Sequence, residues 1–180
     1  MTPAATIDQQ PAPAPVQPEA GLPTMGLRLV LIVVAVIELF DAIPSVSILF
    51  GDMSEIPGPG FGGFLVKTHI ATHPVLALAA LVLAAMGRVR PAIIALAAVV
   101  IMTWLNFMPS VVRHGLEFKG TGAFETPIRM IAFPLMAACA IAYAARNERL
   151  RLAAALVTIP TVLQWLGVLA FAIGVMIYGF

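Results

Sequence analysis

Almost everything between Met25 and Tyr178 belongs to five apolar runs, each about as long as a bilayer is thick. A helix rising ~1.5 Å per residue needs about 20 residues to cross ~30 Å of hydrocarbon. The runs are Met25 to Phe50, Phe64 to Met86, Ala92 to Val112, Pro127 to Ala145 and Leu152 to Tyr178. With 61% hydrophobic and only 11% charged residues in 180, and a mean hydropathy of +0.99, a water-soluble fold of this length could not bury its apolar surface. The expected fold is all-α: a polytopic membrane protein with five transmembrane helices over residues 25–180.

The first 24 residues are rich in Pro, Ala and Gln and lack a helical apolar period, so they read as a disordered cytoplasmic tail. They show neither the basic segment nor the short apolar core of a signal peptide. The linkers "GRVRP" and "RNERLR" are short enough to join antiparallel neighbours directly, and Pro91 and Pro127 stand where helices begin. Placing those linkers inside groups Arg28, Arg88, Arg90, Arg146, Arg149 and Arg151 there, against Lys67, Arg113, Lys119 and Arg129 outside. The positive-inside bias therefore predicts an inner-membrane protein of bacterial type, N-terminus cytoplasmic and C-terminus periplasmic. A net charge of +1 without a basic aromatic stripe excludes nucleic acid as a partner, leaving the lipid bilayer and other membrane subunits. Cys139, the single cysteine, has no partner for a disulfide and reads as a small core residue.

Two stretches repeat a local setting. "IELFDAIPSV" lies over "MTWLNFMPSV" at an offset of 65, pairing Asp41 with Asn106 and Pro44 with Pro109. Pro74 lies over Pro134 at an offset of 60, and the alanine pair at Ala84 over that at Ala144. Two helical hairpins thus look like copies of one unit followed by a fifth helix, an arrangement known in transporters. Since Pro, Ser and Val are ordinary in membrane helices, chance stays open. "TIPTVLQWLG" at Thr158 is a looser third version at a different depth, and reads as coincidence. Interior prolines free the carbonyl four residues back: Phe40 for Pro44, Ile70 for Pro74, Met130 for Pro134. Such carbonyls need partners, so these segments should face protein or a wet cavity.

Glu38 and Asp41 lie inside the first run, where an ionised group costs roughly 2.5–3.5 kcal/mol. With Ser45 they share one helical face. His69 and His73 lie four apart on the second run, while Thr103, Asn106, Ser110 and Arg113 form a stripe on the third. Counting ~1.5 Å per residue from the span centres puts Glu38 and His73 near mid-membrane, Asp41 and Asn106 about 5 Å further out, and Gln164 at the central level. The polar groups converge on an outward-facing cleft.

Carboxylates and imidazoles so placed can share protons. Two nitrogens and two oxygens also suit a divalent metal such as Zn, Mn or Fe, with Glu38, Asp41, His69 and His73 as candidate ligands. Haem is disfavoured, because two histidines four apart on one helix cannot supply both axial ligands. No HExxH motif and no glycine-rich strand-to-helix turn is present. The carboxylates also admit a bland reading, as structural glue neutralised by His73, Arg113 or Arg129. Trp104 and Trp165 read as core packing. The leading functional expectation is proton or small-cation handling, in transport or within a redox complex, by Glu38, Asp41, His73 and Asn106; no catalytic nucleophile is evident. The alternative is a non-catalytic accessory or assembly subunit of a larger membrane complex. A reporter fused after Phe180 should be active outside and one inserted in "RNERLR" inside; the reverse pattern would overturn the orientation.

Overall fold

The computed structural model describes residues 25–51, 60–120 and 122–179. The expected tail over 1–24 lies outside that set. All the regular structure among the described residues is helical: α1 (Met25–Asp41), α2 (Ile43–Leu49), α3 (Phe61–Ala85), α4 (Val89–His114), α5 (Gly122–Pro127), a π-helical stretch (Ile128–Ala132), α6 (Phe133–Arg146) and α7 (Leu150–Tyr178). Four continuous helical segments are long and apolar enough to cross a membrane: α3, α4, Ala123–Arg146 and α7. A fifth span forms if α1 and α2 are counted together as one bent pair. The helical membrane bundle expected from the apolar runs is therefore the observed fold. The first run is not one straight helix, however. It breaks at Ala42 with a bend of 44°, two residues before Pro44, where a missing amide and ring contact disrupt the preceding turn.

The helices pack in chain order around a closed circuit: α1 on α3, α3 on α4, α4 on α6, α6 on α7, and α7 back on α1, with α4 also touching α7. Tight turns at one end, here the arginine end, join α3 to α4 and α6 to α7. At the second of these, Asn147 adopts the left-handed conformation (φ 58°) that commonly closes a helix. The buried core lies in this half of the bundle and is built largely of small residues: Ala35, Ala80, Ala84, Ala92, Ala137, Ala140, Ala144 and Ala153 around Leu31, Ile93 and Leu96. Small side chains let backbones approach closely, which in lipid gives the dispersion contacts that hold helices together. Towards the far end this packing thins, although α3 still buries Gly63, Leu65 and Ile70 there. The last buried residue is Val100 on α4, Ala42 on the α1–α2 span and Thr161 on α7. An exception is Gly62 on α3, where a Cβ would stand 3.2 Å from the Cβ of Pro109, so the glycine admits α4 at this crossing.

The two hairpins carry the same clasp. Arg28 near the start of α1 donates from Nε to the Ala84 carbonyl (3.1 Å) and from its terminal nitrogen to that of Ala85, at the end of α3. Arg90 near the start of α4 donates to Ala144 (3.0 Å) and Ala145 (2.9 Å) at the end of α6. Each guanidinium thereby adds donors to carbonyls at a helix C-terminus, where Ala84 and Ala144 also accept from the amides of Gly87 and Asn147, and places positive charge at the negative end of the dipole.

One proline-freed carbonyl has its partner in view. The Trp104 indole donates to Met130 at 3.1 Å, the carbonyl that Pro134 leaves without its amide. Beside it the chain widens into the π-helical stretch, in which the Phe133 amide reaches back to Ile128. Trp104 is thus a packing residue with a polar task, whereas Trp165 is 41% exposed on the apolar outside of α7, contrary to its expected core position. Cys139 likewise faces outward from α6 and not into the core. Trp104→Phe should lower stability in detergent by about 1–3 kcal/mol, by stranding the Met130 carbonyl. In a Pro134→Ala background, where an amide can take over, thermal melting should show a clearly smaller loss. Equal losses in both backgrounds would mean that the indole N–H is not what matters.

Candidate functional site

α1, α3 and α7 meet where the tight core ends, and each supplies a polar side chain there. α1 is apolar on nearly every face, and the i, i+3 spacing of Glu38 and Asp41 sets both carboxylates towards the same neighbours. Glu38 is 9% exposed and His73 on α3 is 2% exposed. Glu38 Oε2 lies 3.2 Å from His73 Nε2, and Glu38 Oε1 accepts a hydrogen bond from the Thr161 hydroxyl at 2.5 Å. Both oxygens of one carboxylate are therefore occupied, each by a different helix. In a low-dielectric interior such charge-assisted bonds are the strong ones, and they are what makes a carboxylate tolerable there.

Asp41, one turn further along α1, is exposed at the loosened half of the bundle. Gln164 Nε2 on α7 approaches its Oδ2 at 3.5 Å, the long limit of a hydrogen bond. One ligand-capable atom from each of Glu38, Asp41 and His73 falls within 4.8 Å of the others. No lysine or arginine among the described residues forms an ion pair with either carboxylate. Arg129 pairs instead with Glu125 at 3.6 Å and lies over the Phe107 ring. Of the neutralising partners considered from sequence, only His73 is in contact.

The structure thus brings together Glu38, Asp41 and His73, adds Gln164, and leaves two candidates aside. The His69 ring is tilted against that of His73 with centroids 5.0 Å apart, but His69 is not among the convergent donor atoms. Its Nδ1 is buried without a hydrogen-bond partner among the described residues. Asn106 is half-buried on α4, and α3 stands between much of α4 and α1, so its side chain makes no hydrogen bond to the carboxylates.

Sequence reasoning missed Thr161. The signal was present: Thr158, Thr161 and Gln164 recur every three residues on one face of α7, and Thr161 is the hydroxyl of the third proline motif, which had read as coincidence. Thr158 returns its hydroxyl to the Ala154 carbonyl (2.8 Å), leaving Thr161 and Gln164 to face α1.

No protein-family description, curated protein or solved structure matches this chain. Fold and site together define a class: a helical membrane protein with a buried carboxylate–imidazole pair. Thr161→Val preserves shape but removes the donor to Glu38. It should cost about 1.5–3 kcal/mol, read as a lower melting temperature in detergent, because a bond to a charged group is lost. Thr158→Val should change little. Equal effects of the two would deny Thr161 its special place.

Proposed function

We propose that this membrane protein takes up and releases protons or a small cation at the Glu38–His73 pair, with Asp41 beside it on the side where the bundle loosens. The observation that carries the reading is the pair itself: a carboxylate and an imidazole 3.2 Å apart, buried in an apolar bundle, with no lysine or arginine among the described residues paired to either carboxylate. A Lys or Arg partner would lock such a carboxylate in its charged form. An imidazole is a base as well as a donor, so a proton or a cation can be taken up at the pair from outside and released again. With the arginine end taken as cytoplasmic, the loosened half opens outward and the site is loaded from that side. Transport, or proton delivery within a redox complex, are the roles this chemistry serves.

A second reading, an accessory or assembly subunit, is favoured by α7. From Val162 onward it exposes Leu163, Trp165, Leu166, Phe171 and Met176, a long apolar surface that another membrane subunit would cover as readily as lipid.

Proteoliposomes carrying a pH dye and an imposed potential separate the two. Glu38→Gln and His73→Ala should each slow proton or cation movement at least ~10-fold while the protein still inserts, and the double variant should be no slower than either if the two act as one unit. Undiminished flux in both, with additive losses of yield, would make the pair structural and put the accessory reading first.

A further inference from the structure

Building on the reading of this pair as a functional site, we infer that Glu38, Asp41 and His73 form a binding site for one divalent transition-metal ion of the manganese-to-zinc class. Three independent observations converge on it. The first is geometry. Ligands to such ions stand ~2.0–2.2 Å from the metal, so neighbouring donor atoms are about 3.0–3.4 Å apart. Glu38 Oε2 and His73 Nε2 already stand at 3.2 Å, and Asp41 places an oxygen within 4.8 Å of both. Asp41 is exposed and unpacked, so closing the remaining distance of roughly 1.5 Å needs only a side-chain rotation.

The second is charge. Two carboxylates and a neutral imidazole carry two negative charges, and no lysine or arginine among the described residues pairs with them. A divalent ion brings the cluster to neutrality, which a bilayer interior favours strongly. The third is the way the other lone pairs are held. Thr161 donates to Glu38 Oε1 and Gln164 to Asp41 Oδ2, so that the one remaining contact of Glu38, Oε2 to His73 Nε2, is between two atoms that would both turn to a metal. Ligating carboxylates are commonly fixed by such hydrogen bonds. Two oxygens and one nitrogen match Mn, Fe or Zn better than soft ions, which prefer sulfur, or Ca and Mg, which prefer oxygen alone. His69, outside the convergent set, is not a ligand.

A divalent ion held at these three side chains would be the small cation of the proposed function.

The test is equilibrium binding of Mn²⁺ and Zn²⁺ to the detergent-purified full chain without a histidine tag, with bound metal measured directly and Mn²⁺ followed by electron paramagnetic resonance. One equivalent is expected, removed by a chelator. Asp41→Asn, at an exposed position, should weaken binding at least ~10-fold without changing the melting temperature, and His73→Ala should weaken it as much while also lowering the melting temperature. Thr161→Val should weaken binding ~10–100-fold. His69→Ala and His114→Ala should leave it unchanged. Absence of a stoichiometric site, or a site indifferent to Asp41→Asn and His73→Ala, overturns the inference. If Glu38-dependent proton flux in liposomes persists in metal-free buffer alongside that result, the site serves protons alone; if the flux is also absent, the functional reading falls with it.

Discussion

A single carboxylate ties the architecture together. Glu38 bonds across to α3 through one oxygen and to α7 through the other, so three of the five spans meet at one side chain. In water such a contact would contribute little. In lipid the alternative to pairing is an unsatisfied charge among methylenes, and removing either side of a buried pair costs about 3–5 kcal/mol. The apolar faces of membrane helices do not choose neighbours on hydrophobicity, since lipid is as greasy as leucine. The polar contacts therefore specify which helix lies beside which, and α7, the last helix in the chain, closes the circuit onto the first at this point.

The packing gradient follows from where the small residues fall. Alanines cluster in the arginine half of α3, α4, α6 and α7, and there the backbones approach until the interior is filled. Beyond Val100 on α4 the side chains are half-buried as far as Pro109, beyond Thr161 on α7 most are exposed, and α3 alone keeps Gly63, Leu65 and Ile70 buried in this half. The proline motifs belong to this open half on two helices, though with different tasks. Pro44 breaks its helix into α1 and α2, whereas Pro109 leaves α4 continuous and nests against Gly62. Similar local sequence here produces different backbones, because one proline has a glycine-floored groove to sit in and the other does not.

The helical class and the four continuous spans were legible in the sequence because transmembrane helices are specified by run length and hydropathy, whereas the 44° break in the first run was not. The Glu38–His73 meeting was legible for a related reason: depth can be counted along a helix, and groups of opposite character at one depth have cause to pair. The azimuth of each helix was harder to read. Asn106 has the right depth for the cluster, yet α1 packs mainly on α3 and the Asn106 side chain makes no hydrogen bond to the carboxylates. Thr161 was overlooked since a threonine in a membrane helix usually bonds its own backbone, as Thr158 does. Arginine clasps were invisible for the same kind of reason: they are read by carbonyls, and carbonyls carry no sequence.

That last property bears on how such a protein can change over time. The acceptors of Arg28 and Arg90 are main-chain oxygens, and Ala85 and Ala145 are themselves exposed. Any side chain at those two positions offers the same oxygen. Pairwise substitution patterns will therefore show no correlated changes across this junction, although it holds each hairpin shut. What persists would be an arginine in the first turn of a helix, with the exposed one of its two acceptor positions, Ala85 or Ala145, free to drift while Ala84 and Ala144 stay packed in the core. Diverged relatives would preserve the clasp while losing nearly every identity around it.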